Sequence, residues 1–170
     1  MADRASASIT IGGTLPLHLL ADLVAAAQSD GASPDWDENP LEAQDIVPGE
    51  TLTACAHQLA NGEFIALEAF CIEHRLVFVR ESDGCLGAFG PERVVFDGTG
   101  EPRSYASVEQ EVMISLSRIQ ALGSIEAVEG WFARANVEVP QLVLVGTTPG
   151  DADARSVDTE EKPPACTLPA

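Results

Sequence analysis

Thr51-Leu-Thr-Ala-Cys-Ala-His-Gln-Leu-Ala-Asn-Gly-Glu-Phe-Ile-Ala-Leu-Glu-Ala-Phe-Cys-Ile-Glu-His-Arg-Leu-Val-Phe-Val-Arg80 changes its apolar period twice within thirty residues. Thr51 to Ala60 reads as the longest strand, and Asn61-Gly62 is a turn dipeptide. From Glu63 to Arg75 the apolar positions Phe64, Leu67, Phe70, Cys71 and His74 recur at spacings of three and four, the repeat of one helical face. Leu76-Val-Phe-Val-Arg80 then returns to a strand, with Glu81 to Gly84 as its turn. Strand, helix, strand is therefore the unit on which the rest is built.

Upstream, Ala7-Ser-Ile-Thr-Ile-Gly12 is a short first strand stopped by Gly12-Gly13. Thr14 caps a helix from Leu15 to Gln28, with Pro16 tolerated in its first turn. That helix is so rich in Leu and Ala that burial over most of its circumference is expected. Pro34, Pro40 and Pro48 break the segment from Ser33 to Gly49, leaving room for a short strand around Asp35-Trp36-Asp37. Residues 7–82 thus read strand, helix, strand, strand, helix, strand. This is the order of a ferredoxin-like split βαβ core, an antiparallel sheet with two helices on one face.

Downstream, residues 83–146 extend the core. Arg93 to Asp97 reads as a strand, Asp97 to Pro102 as a turn-rich loop, and Val112 to Ser115 as a short strand. Ser117 to Leu122 is a helical turn stopped at Gly123. Ser124 caps a firmer helix from Ile125 to Ala135, whose apolar face is Ile125, Val128, Phe132 and Ala135, with Trp131 on the flank. Leu142 to Val145 is a final apolar segment. The expectation is one α+β domain over 1–146, followed by a disordered acidic, proline-rich tail over 147–170 that holds too little apolar surface to offset its ordering entropy.

Charge narrows the function classes. Among 170 residues, 27 acidic side chains face nine basic ones, a formal net charge of −18, and Lys162 is the only lysine. Nucleic acid and anionic membrane surfaces need basic patches, so direct binding to either is disfavoured, while a basic protein partner is favoured. No apolar run reaches the length of a membrane span, and Met1-Ala-Asp-Arg does not open a secretory signal, so the cytoplasm is the expected compartment. Cys55, Cys71, Cys85 and Cys166 have no CxxC spacing and read as free thiols.

Four groupings bear on chemistry. Cys55-x-His57 with Cys71-x-x-His74 places each pair on one face of its element, a conceivable zinc site without the tight ligand spacing of zinc modules. The same residues, with Cys85, could supply a thiol nucleophile and an imidazole base, but no flanking pattern supports it. Gly12-Gly13 and Gly98-Thr-Gly100 lack the spacing of phosphate-binding loops and are explained by turns. No cofactor is implied. The fourth grouping is the segment from Asp30 to Glu50, with seven acidic residues and no basic one. Asp30, Asp35, Asp37, Glu38, Glu42, Asp45 and Glu50 form an acidic surface in which Trp36 is an apolar anchor.

In size, charge and missing catalytic pattern the chain resembles the small acidic accessory proteins of phages and plasmids, among them antirestriction and anti-CRISPR inhibitors. That resemblance is one of overall character, carries no motif and transfers no residue. It implies a non-catalytic interaction protein, in its sharpest form a DNA mimic whose carboxylates copy a phosphate array. Two alternatives stand beside it: a ligand-binding or catalytic module at the Cys/His-lined part of the sheet, and an assembly protein that forms a homodimer through its sheet edge or open face.

Overall fold

A computed structural model describes residues 3–37 and 39–146. The expected tail over 147–170 and Glu38 of the acidic segment lie outside these residues.

The elements are β1 (Arg4–Pro16), α1 (Leu20–Ser29), β2 (Leu52–Ala60), α2 (Ile65–Glu73), β3 (Val77–Ser82), β4 (Glu92–Phe96), β5 (Arg103–Val108), β6 (Glu111–Val112), α3 (Leu116–Leu122), α4 (Ile125–Ala135) and β7 (Leu142–Val145). They build a mixed α+β fold around one sheet in the order β2-β1-β3-β4-β5-β6, antiparallel throughout, with β7 parallel to the end of β1. The four-strand core expected over residues 7–82 does not form as such. Asp35 to Asp37 is no strand; its neighbour Ser33 makes only one bridge, to Cys55. Between Pro34 and Pro40 a second rung is hard to build, since proline lacks the N–H and fixes φ. Three strands, not four, therefore accompany the two helices.

Strand alternation divides the sheet into two faces. Ala7, Ile9 and Ile11 of β1, Ala54 and Ala56 of β2, Phe78 of β3 and Phe96 of β4 point to one side. There they pack with Leu23 and Ala27 of α1 and Leu67, Phe70 and Cys71 of α2. The α2 face is the one its spacing predicts. The α1 face is narrower than expected: only Leu23 and Ala27 are buried, because the sheet and α2 cover one side of the helix and no described residue covers the other. Gly12 permits a close crossing over β1, where a Cβ atom would lie 1.6 Å from the Pro140 carbonyl oxygen.

Arg80 is buried on this same face. Its guanidinium lies 2.9 Å from Glu68 of α2 and 2.7 Å from Glu92 of β4, and it donates to the Gly62 carbonyl. A buried arginine is tolerated only when its charge is met; the two carboxylates meet it, Nη1 and Nη2 are hydrogen-bonded, and Nε faces Glu68 at ion-pair distance without a hydrogen bond.

The opposite face has a smaller core. Val95 and Tyr105 pack with Ala135 of α4, and Val79, Val112, Trp131 and Val137 join them. Trp131 meets Tyr105 edge to face, with centroids 5.0 Å apart. The α4 boundaries are as expected, but its buried side is rotated toward Trp131 and Ala135, leaving Ile125 67% exposed. β5 is a strand that the sequence reading missed, and β6 is only two residues long.

Candidate functional site: an acidic cleft on the open sheet face

α4 covers only the β4–β5 end of the second face. Toward β1 the sheet stays open, and its outward positions there are Ser6 and Ser8, half-buried. A cleft of about 240 Å³ occupies this space. Ser6, Ser8, Trp36, Glu81, Asp83 and Glu109 contribute the side chains of most chemical interest, and among the described residues no lysine, arginine or histidine lines it. Trp36 stands at the rim, 48% exposed, tilted against His57 with ring centroids 4.9 Å apart. His57 Nδ1 in turn lies 3.0 Å from Ser6 Oγ.

β2 brings His57 to this place through a bulge. The pairing register slips between Ala5–Leu59 and Ala7–Ala56, and Gln58 absorbs the extra residue at φ 57°. The far side of the cleft is the β5–β6 hairpin, whose two-residue loop is Glu109-Gln110 with φ of 50° and 67°. Such a loop normally carries Asn-Gly, because both central residues adopt left-handed backbone. Two long side chains held there store strain, and strain of this kind clusters at functional sites.

Arg93 sits behind this wall. It is ion-paired with Glu81, donates to Asn136 Oδ1 at 2.6 Å and donates to the Gln110 carbonyl at 3.0 Å. It therefore ties the sheet, the end of α4 and the strained hairpin together. Burial pushes the Glu81 carboxyl up, opposed by its hydrogen bond and attraction to Arg93 and by Arg80. Asp83 and Glu109 are exposed, and neither forms an ion pair among the described residues. The cleft's uncompensated charge is thus Asp83 and Glu109, while Glu81 is held by Arg93.

The acidic segment separates into structural and free carboxylates. Asp30 accepts hydrogen bonds from Ala66 N (3.2 Å) and Leu67 N (2.9 Å), so it caps the start of α2 from the end of α1. Glu42 and Asp45 form a reciprocal capping box on the short 3₁₀ turn Ala43–Asp45. Asp35 accepts from the Asp37 backbone N–H at 3.0 Å. Asp35, Asp37, Glu42 and Glu50 are exposed. Of the described residues in this segment, Trp36 alone lines the cleft.

The sheet itself divides the proposed zinc ligands. Cys55 and His57 belong to the open face, whereas Cys71 and His74 ride on α2 against the other. Among the described residues no cluster of three or more His, Cys, Asp and Glu is placed to hold a metal ion. Burial raises the Cys55 thiol, with a smaller push from Asp35, and burial raises the Cys71 thiol much further, with a smaller push from Glu68. His74 stacks on Phe70, with centroids 4.3 Å apart. Neither cysteine shares a hydrogen bond with an imidazole among the described residues. The Ser6–His57 contact is the one hydroxyl–imidazole pair there, and no described carboxylate is bonded to that ring.

Ser6, Ser8, Glu81, Asp83 and Glu109 were not singled out from sequence. One signal was present: β1 alternates Ser6, Ser8 and Thr10 with Ala7, Ile9 and Ile11, which marks a polar face on a central strand. Among the described residues no helix is long and apolar enough to cross a membrane. The chain matches no protein-family model, no curated protein and no solved structure.

Proposed function

We propose that this chain is an acidic interaction protein that binds a basic segment of a protein partner in the open-face cleft. The observation that carries the reading is the cleft's composition. Among the described residues three carboxylates and no basic side chain line it, and a half-exposed tryptophan stands at its rim. An arginine side chain entering the cleft meets free carboxylates at Asp83 and Glu109 and an indole face at Trp36, so ion pairing and cation–π attraction act together. Leu86, fully exposed on the neighbouring loop from Gly84 to Pro91, adds an apolar contact beside this charge.

The exposed carboxylates Asp35 and Asp37 continue the negative surface past Trp36. A DNA-mimicking inhibitor of a nucleic-acid-binding protein is the sharpest form of this reading, supported by the formal net charge of −18. A cytoplasmic accessory role on a mobile genetic element is its natural setting.

The test uses Trp36 as reporter. With Trp131→Phe removing the other tryptophan, an arginine-rich peptide is titrated while fluorescence is followed. Saturable quenching is expected, weakening as salt rises from 50 to 300 mM. Asp83→Asn with Glu109→Gln should weaken binding by roughly tenfold or more, at about 1 kcal/mol for each partly desolvated charge pair. Affinity unchanged by that double substitution would remove the cleft as the site.

A further inference from the structure

A run of exposed apolar residues starts at the β5–β6 hairpin and continues into the helices that follow it. Val108, Met113, Leu116, Ile119 and Ile125 are all exposed and fall within one short run of chain that ends β5, crosses β6 and forms α3 and the start of α4. α3 buries no residue at all, although it is a well-formed helix, capped by Ser115 at one end and closed by Gly123 in left-handed conformation at the other. Between α3 and α4 runs a groove of about 350 Å³, lined by Ile119, Gln120, Gly123, Ser124, Ile125 and Val128. A monomer gains nothing from holding Leu116 70% and Ile125 67% exposed on a capped helix pair.

Charge indicates what covers it. From Val112 to Ile125 the chain carries one ionised side chain, Arg118, in a protein otherwise dominated by carboxylates. α3 is therefore cationic and apolar, while the exposed start of α4 carries Glu126 and Glu129. A twofold contact sets α3 of one copy against α4 of the other, and the same match is made twice. The acid-free run lets two copies approach where their mutual repulsion is least. We propose that this helix pair is a homodimer interface, formed by a second copy of this chain packing its α3–α4 surface isologously against the first. Leu116, Ile119 and Ile125 fill its centre, and Arg118 meets the α4 carboxylates at its edge.

The experiment is sedimentation equilibrium of the full chain at 150 mM salt over about 1 to 200 μM, read against a monomer mass of 17.9 kDa. A reversible monomer–dimer equilibrium is expected. Ile125→Asp should weaken the dimer at least roughly 30-fold as a central apolar contact, and Arg118→Glu by roughly fivefold or more as a rim charge reversal. Both side chains are exposed, so circular dichroism and thermal melting should match wild type and separate lost association from lost folding. A wild-type chain that stays monomeric across the range overturns the proposal. Wild-type dimer affinity in either variant also overturns it.

Discussion

Replacing Arg80 by methionine tests the main structural claim about the helix face. The Arg80 side chain is 3% exposed, and its partners Glu68 and Glu92 are 15% and 29% exposed. Methionine keeps most of the stem's volume, so the substitution removes the charge more than the packing. Glu68 then keeps its burial and its hydrogen bond from the Phe64 backbone but loses its counter-ion. Breaking a buried pair from one side costs about 3–5 kcal/mol. Against a total stability of about 5–15 kcal/mol this is a large fraction. With a urea slope of about 2 kcal/mol/M, the unfolding midpoint should fall by roughly 2 M.

The pH dependence sharpens the test. Burial raises the Glu68 carboxyl above its usual value of 4.5, and Arg80 opposes that shift. A carboxyl raised in the folded state favours folding when protonated, and that contribution is lost as pH rises through the folded value. Removing Arg80 raises the carboxyl further, so Glu68 takes up its proton at higher pH in the variant than in wild type. The penalty should therefore be smaller at pH 5 than at pH 7, because the variant's Glu68 is the first of the two to be neutralised as pH falls. Adding Glu68→Gln to Arg80→Met should recover about 1–2 kcal/mol at pH 7, because a neutral amide needs no counter-ion. Equal losses at both pH values, or a loss under 1 kcal/mol, would show that the charge is not buried as described.

Two further substitutions separate structural from recognitional roles. Asp30→Ala should lower stability by about 0.5–2 kcal/mol through loss of the α2 cap, measured by urea unfolding, while leaving peptide binding at Trp36 unchanged; an undiminished midpoint would argue against the cap. Gln110→Gly should raise thermal stability, by about 1 kcal/mol, because glycine adopts the left-handed backbone at φ 67° without the Cβ penalty; a lower melting temperature would mean that the hairpin is not strained.

Local pattern carried the α+β class and several elements but not the sheet order, and it started the first helix at Leu15 where β1 in fact runs to Pro16. The α2 face, the α4 boundaries and the Asn61-Gly62 turn were legible because period and punctuation agreed at each. β5 was not. Arg103-Ser-Tyr-Ala-Ser-Val108 turns Tyr105 and Ser107 inward, and a buried serine in place of a second large apolar residue erases the alternation. Asp35 to Asp37 misled for the opposite reason: Trp36 looked like a strand residue, yet it belongs to a loop whose one backbone bridge to β2 among the described residues is at Ser33. The site was less legible still, since its carboxylates arrive from the end of β3, which pairs with β1 directly, and from the β5–β6 turn, which reaches it only by pairing across β4.

The same carboxylates show why net charge alone was an incomplete guide. Glu68 and Glu92 neutralise Arg80, Glu81 neutralises Arg93, and Asp97 pairs with Arg103. Asp30 and Asp45 cap helical turns. These groups explain how an acidic chain holds its few arginines in place, and none of them is free to meet a partner. Asp83, Glu109, Asp35 and Asp37 have no ion-pairing partner among the described residues. Two of them line the cleft and the other two flank its tryptophan. On the helix face the apolar residues interlock, and the buried side-chain atoms without a hydrogen-bond partner among the described residues are Arg80 Nε and Ser82 Oγ. The open face holds the strained hairpin, the half-exposed indole and the unmatched charge. Folding alone gives no reason to gather those three features in one place, and recognition of a basic side chain does.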